Sequence, residues 1–226
     1  MPLAVPLSRD QVAAANRLHA GLRQWATADR ALGALAERFP EFDETSTLLK
    51  AVTINAMYGT NVWALDRMAR HVMAVLSETD LARAGPELVE RLATPPPAPG
   101  QKRRRTHLSF AAKFAHFFID AERYPILDSY AAKMVELHLG RKNLVSRSGH
   151  PYIAFLENLR LLRTGAGLQC TTRELDHYLW VAGEYHVWLR NPKALINMEL
   201  RRLFEDPSAV ARKDLHVVSR AFENNI

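Results

Sequence analysis

Two residues of this chain have the types and spacing for covalent chemistry: Lys113 and Asp128. Lys113 lies in Leu108-Ser-Phe-Ala-Ala-Lys113-Phe-Ala-His-Phe117, whose apolar period predicts a helix over about 109–120. Residues four apart share a helix face, so Phe117 stands beside Lys113. A helix N-terminus and apolar neighbours both favour an uncharged amine, the form in which lysine is a nucleophile. Further on, Tyr124-Pro-Ile-Leu-Asp128-Ser-Tyr closes a tight connection and opens the next helix. Antiparallel packing of the two helices would return Asp128 towards Lys113. The same residues also fit a plainer reading, a lysine snorkelling to the surface and an aspartate serving as an N-cap worth about 1 kcal/mol. For Asp128 the two readings are compatible.

The elements that must position this pair are helical throughout. Ser8 is expected to cap a long amphipathic helix over about 10–38, with Val12, Leu18, Leu22, Trp25, Leu32 and Leu35 near one side and Pro40 ending it. Further helices are expected over 45–58 and 60–77, parted near Gly59, and over 86–93, where a proline opens the first turn. Thr94-Pro-Pro-Pro-Ala-Pro-Gly100 is too rich in proline for a helix and reads as a stiff connector over about 94–105. Beyond it, helices are expected over 109–120, 129–139, 151–163, 172–190, 192–204 and 208–223, with Gly140 as a stop and Thr171 or Thr172 as a cap. No alternating strand pattern, hairpin signal or fixed-period repeat occurs. The expected fold is all-α, a single unit over 1–226 made of two packed helical lobes.

Composition narrows the chemistry. At 226 residues, 48% hydrophobic and 24% charged, the chain is long enough to bury a core. Its one cysteine, Cys170, excludes an internal disulfide, a cysteine-rich zinc site and a four-cysteine iron–sulfur cluster. No stretch approaches the ~18 consecutive apolar residues of a membrane span, and residues 1–9 lack a signal-peptide layout, so a cytoplasmic protein without membrane contact is expected. The net charge of +6 is one-sided: residues 1–100 carry 10 Lys/Arg against 11 Asp/Glu, and residues 101–226 carry 20 against 13. Four cations are consecutive, Lys102, Arg103, Arg104 and Arg105. They fit contacts to a phosphate-bearing partner, and equally a solvated loop beside the connector. Walker, dinucleotide-binding and HExxH patterns are absent, and the nine histidines are scattered, so neither a metal nor a cofactor is expected.

The segment 109–130 resembles the hairpin–helix–loop–aspartate signature of the helix-hairpin-helix DNA glycosylases. In that family a lysine just after the hairpin attacks the sugar, and an aspartate follows a short loop; Lys113 and Asp128 occupy those places. Upstream, Leu48-Leu-Lys-Ala-Val-Thr-Ile-Asn55-Ala-Met-Tyr-Gly-Thr-Asn61-Val-Trp63 is similar to the family's early paired helices, and the resemblance extends over about 45–190. Within the superfamily the 8-oxoguanine glycosylases, above all their archaeal branch, carry an aromatic residue four after the lysine. They also carry a late helix with an aspartate that reads the base edge and a tryptophan, four residues on, that stacks on it. Phe117 and Asp176-His-Tyr-Leu-Trp180 fall in those places, which implies base-binding roles for Phe117, Asp176 and Trp180. The chain departs from the family at the hairpin, normally Leu-Pro-Gly-x-Gly-x-Lys, because Ser109 and Ala111 replace glycines. A degenerate hairpin is therefore expected, with weaker provision for a duplex phosphate. The iron–sulfur ligands of some members are missing too, although the 8-oxoguanine branches do not use them.

The resemblance implies a DNA N-glycosylase, with possible lyase activity, that removes an oxidised or modified guanine through a lysine nucleophile in base excision repair. Two other functions fit the same sequence. One is a non-catalytic helical module that binds nucleic acid or a partner. The other is a base-removing enzyme acting on a free nucleotide, as in glycosylase-fold proteins of bacterial anti-phage operons. The expected partner is DNA or a nucleotide. Asn55, Tyr58 and Trp63 lie near the expected pocket without an assigned role, and His116 and His177 simply neighbour stronger candidates.

Overall fold

In the computed structural model the described residues, 2–97 and 105–220, form eleven α-helices and one 3-10 turn, with no strand among them. The all-α expectation is met, and no helix is long and apolar enough to cross a membrane. The chain divides into two compact units. One comprises Met1–Thr27, Ser129–Val145 and Glu157–Ile226, and the other Ala28–Asp128 and Ser146–Leu156. Lys113 and Asp128 belong to the second unit.

The first unit is built on α9, Thr172–Arg190. Thr171 caps it with a full capping box: its hydroxyl accepts from the Glu174 N–H, and the Glu174 side chain reaches back to the Thr171 N–H. Around α9 pack α1 (Arg9–Ala20), α7 (Ser129–Leu139), α10 (Met198–Glu205) and α11 (Ala209–Ser219). Apolar residues at helical spacing, such as Val12, Ala15 and Leu18 on α1 and Leu175, Tyr178, Leu179 and Ala182 on α9, are buried in this core. Helices α7 and α9 cross closely at Gly183, where an added Cβ would lie 2.8 Å from the Tyr130 Cβ. His138 of α7 is fully buried, with Nδ1 2.9 Å from the Val5 carbonyl and Nε2 2.8 Å from the Tyr178 hydroxyl. The carbonyl requires a proton on Nδ1, so Nε2 accepts from the tyrosine.

The second unit contains α3 (Glu44–Tyr58), α4 (Leu65–Ser77), α5 (Glu87–Ala93) and α6 (Leu108–Phe118), with most of α2 (Arg23–Arg38) and the start of α8 (Pro151–Ala166). Helix α3 packs on α4 and α6, and α5 on α4 and α6. Helices α5 and α6, on either side of the proline-rich stretch, lie in this same unit, and the His107 N–H donates to the Ala93 carbonyl across it. Glu90 of α5 satisfies the open N-terminus of α8, accepting from the N–H groups of Tyr152 and Ile153, and pairs with His150 at 2.6 Å.

Three expected elements differ from the structure. The helix over 10–38 is two helices, because the Gly21 N–H closes α1 on the carbonyls of Arg17 and Leu18 before Leu22 turns inward. The helix over 60–77 begins only at Leu65. Asn55 Oδ1 accepts from the Thr60 hydroxyl and the Val62 N–H, and Asn61 adopts a left-handed φ of 55°, so the chain is held as a loop there. The helix over 192–204 starts at Met198, where the Asn197 side chain accepts from the N–H groups of Glu199 and Leu200.

Two consequences are measurable. Gly183→Ala should lower unfolding stability by about 1–3 kcal/mol in chemical denaturation, because α7 and α9 must separate to admit the methyl group. Burial depresses the His138 pKa from 6.5 to about 4, so the folded state holds it neutral while the unfolded chain protonates it. Its contribution is complete above pH 6.5 and declines as pH falls towards 4, by about 3 kcal/mol in all. His138→Gln should remove that part of the acid slope, read as midpoint against pH.

Candidate active site

Helix α6 presents Lys113 near its middle, with Phe110, Phe114 and the alanines around it fully buried. The Lys113 side chain is only 6% exposed. Its Nζ donates to the Ser109 hydroxyl at 2.9 Å and lies 3.5 Å from Asp128 Oδ2. The Tyr58 ring, 5.5 Å from the amine, supplies a π face, and the same ring packs 5.5 Å from Phe117. Asp128 remains 20% exposed on its side chain, so the pair is reached by solvent from the carboxylate side.

The loop over 119–128 is fixed by bonds that the polar sequence around it provides. Tyr124 is buried, its hydroxyl donating to the Ala84 carbonyl at 3.0 Å and its own carbonyl meeting His116 Nδ1 at 3.1 Å. The Tyr152 hydroxyl donates to the Pro125 carbonyl at 2.8 Å. Arg123 is held by Asp120 and donates to the carbonyls of Leu81 and Ala82. Burial raises the pKa of both Tyr124 and Tyr152, so each stays a neutral donor. The loop therefore brings Asp128 back to the lysine with little freedom, while Asp128 stands immediately before α7 in the chain.

Residues 108–113, expected from the sequence to form a degenerate hairpin, are instead the first turns of α6. Ser109, in a glycine's place, is instead the hydroxyl partner of the lysine. Phe117 is half-buried in the same unit and also meets the His116 ring edge-on at 4.9 Å. Asp176 and Trp180 belong to the other unit, half-buried one turn apart on α9. The Trp180 indole meets Trp25 at 4.9 Å and His19 at 5.9 Å, both edge-on, and His177 stacks on His19 at 3.6 Å and meets Asn16 at 2.8 Å. Lys102, Arg103 and Arg104 lie outside the described residues, and Arg105 is exposed.

Sequence reasoning missed a second buried amine. Lys50 of α3 is 1% exposed; its Nζ donates to the Glu41 carbonyl at 2.7 Å and sits 4.1 Å from the centre of the Phe42 ring. Burial lowers its pKa, against the opposing charges of Glu41 and Asp43. The apolar flanks in Leu48-Leu-Lys50-Ala-Val were the available signal. The Ser109 partnership was also legible, as an i,i+4 pair on one helix.

Comparison with known proteins places the chain without naming its chemistry. No curated protein and no solved structure gives a significant match. One family, HI_0787_N, described as an N-terminal domain, matches residues 10–122. That is half of the 226 residues and includes Lys113 but not Asp128. The chain belongs to the HI_0787_N family.

Proposed function

We propose that this protein is an N-glycosylase that removes an oxidised or modified guanine, with Lys113 as nucleophile and Asp128 as its electrostatic partner. The observation that carries the proposal is the Lys113 amine, buried and facing one carboxylate at 3.5 Å and one hydroxyl at 2.9 Å. In the proposed step the Nζ–C1′ bond forms as the bond from C1′ to the base breaks. One amine proton passes to Asp128 and on to the departing base. The carboxylate stabilises the oxocarbenium charge that develops on the sugar, as carboxylates do in glycoside hydrolysis. Opening of the sugar ring leaves a Schiff base on Lys113, from which elimination of the 3′ phosphate would cut a strand. Phe117, beside Tyr58, is the proposed stacking surface for the base, and the base-reading roles of Asp176 and Trp180 rest on the resemblance alone.

The helical course of 108–113 favours a second reading of the substrate. In place of a glycine turn the stretch offers only the first N–H groups of a helix, a smaller anchor for a duplex backbone, which fits a single strand or a free nucleotide carrying the same base.

Borohydride trapping tests the chemistry with three substrates: an 8-oxoguanine duplex, the same single strand and the free 8-oxoguanine nucleotide. The wild-type protein should form a stable adduct with at least one. Lys113→Gln should abolish it, Asp128→Asn should slow base release by about 10²–10³-fold, and Lys50→Met should retain it. An adduct that persists in Lys113→Gln, or base release unchanged in Asp128→Asn, would contradict the assignment. A buried charge pair is a poor source of stability, so Lys113→Met should unfold at an equal or higher temperature than wild type while losing activity.

A further inference from the structure

A second feature of the same unit lies outside the lysine site. Between the α3–α4 loop, the start of α4 and the proline-rich stretch is an open cavity of about 280 Å³. Trp63, Arg67, Arg105 and His107 line it together with Ala64 and Pro95, and no carboxylate does. Trp63 is 84% exposed, an unusual cost for the largest aromatic side chain unless something covers it. Two other arginines of this unit are paired, Arg70 with Asp66 at 2.7 Å and Arg123 with Asp120 at 2.9 Å. The side chains of Arg67 and Arg105 have no hydrogen-bond or ion-pair partner among the described residues.

The positive charges converge. The His107 imidazole is held below its ordinary pKa first by burial and then by the charges of Arg105 and Arg67. The N-terminus of α4 adds little to this charge, because the Asp66 carboxylate in its first turn already accepts from the Arg67 N–H. A flat indole with proline rings nearby takes an aromatic ring, and two unpaired guanidinium groups take a phosphate. The volume is at the small end of the ~300–1,000 Å³ usual for ligand sites, room for one ring system and its phosphate but not for a duplex.

We propose that this cavity binds a nucleotide, its base on the Trp63 indole and its phosphate against Arg67 and Arg105. The site stands apart from the reaction at Lys113 and does not depend on it. The nucleotide can be a free one or one unit of a single strand, and the recognising groups are the same.

Calorimetric titration of the full chain with thymidine 5′-monophosphate, thymidine and a short oligothymidylate separates these sources. Binding of the mononucleotide identifies a free-nucleotide site, and binding of the oligothymidylate alone identifies a strand-binding site. In either case Trp63→Ala should weaken affinity about 5- to 100-fold, with Trp63→Phe recovering much of it. Arg67→Gln with Arg105→Gln should reduce a phosphorylated ligand to the affinity of thymidine. Trp63 and Arg105 are exposed and Arg67 is half-buried, and a far-ultraviolet spectrum confirms that each variant is folded. Failure of both phosphorylated ligands to bind, or unchanged affinity in Trp63→Ala, overturns the proposal. The latter, with affinity lost in the arginine variant, would leave only an anion site.

Discussion

An amine taken out of water must be given a partner, and that constraint organises the second unit. The effective penalty for burying an ammonium group is several kcal/mol, and one well-placed carboxylate is what makes the position tolerable. Asp128 supplies it from the far end of a loop, so the loop cannot wander. Tyr124 beneath Ala84, the Pro125 carbonyl on Tyr152, and Arg123 on the carbonyls of Leu81 and Ala82 all restrain the segment that carries the carboxylate. Two buried phenols held neutral by their surroundings are inert anchors. The pair is thus preorganised, which a catalytic constellation needs and a casual ion pair does not.

The unit offers its own comparison in Lys50. Both lysines are buried, yet Lys50 donates its hydrogen bond to a backbone carbonyl and rests on the Phe42 ring, with no carboxylate in hydrogen-bond contact among the described residues. Such a position holds α3 to the chain before it, while burial lowers the pKa of the amine. Lys113 has a carboxylate able to receive a proton and a side of the pair still open to solvent through Asp128. Burial alone does not distinguish a nucleophile from a packing residue. In the proposed reaction it is the neighbouring acid, and the approach to it, that set Lys113 apart.

Much of the scaffold was legible because local signals and packing agree. Thr171 and Glu174 mark the start of α9, Gly140 marks the end of α7, and the periodic runs between such signals are helices. The helix boundaries that failed were decided by bonds that hydrophobic period does not report: the Gly21 closure, the Asn55 side chain holding Thr60 and Val62, and the Asn197 cap. At the site, the meeting of Lys113 and Asp128 was foreseen, although the loop over 119–128 supplies it and not a packing of α6 on α7, which belongs to the other unit. The use of Ser109 as partner was not, because that residue had been weighed only as a missing glycine. Trp63 could not be given a role from its type alone: it falls in the helix expected over 60–77, and only the folded chain, where Asn55 holds that stretch as a loop, exposes it.

The central claim is that of all amines in the chain it is Lys113 that joins the sugar. Borohydride-reduced protein, digested and sequenced by tandem mass spectrometry after reaction with an 8-oxoguanine strand or nucleotide, locates the attachment directly. The account predicts the sugar remnant on Lys113, with Lys50 and the terminal amine unmodified. A remnant on Lys50 or on the terminal amine, with Lys113 unmodified, would contradict it.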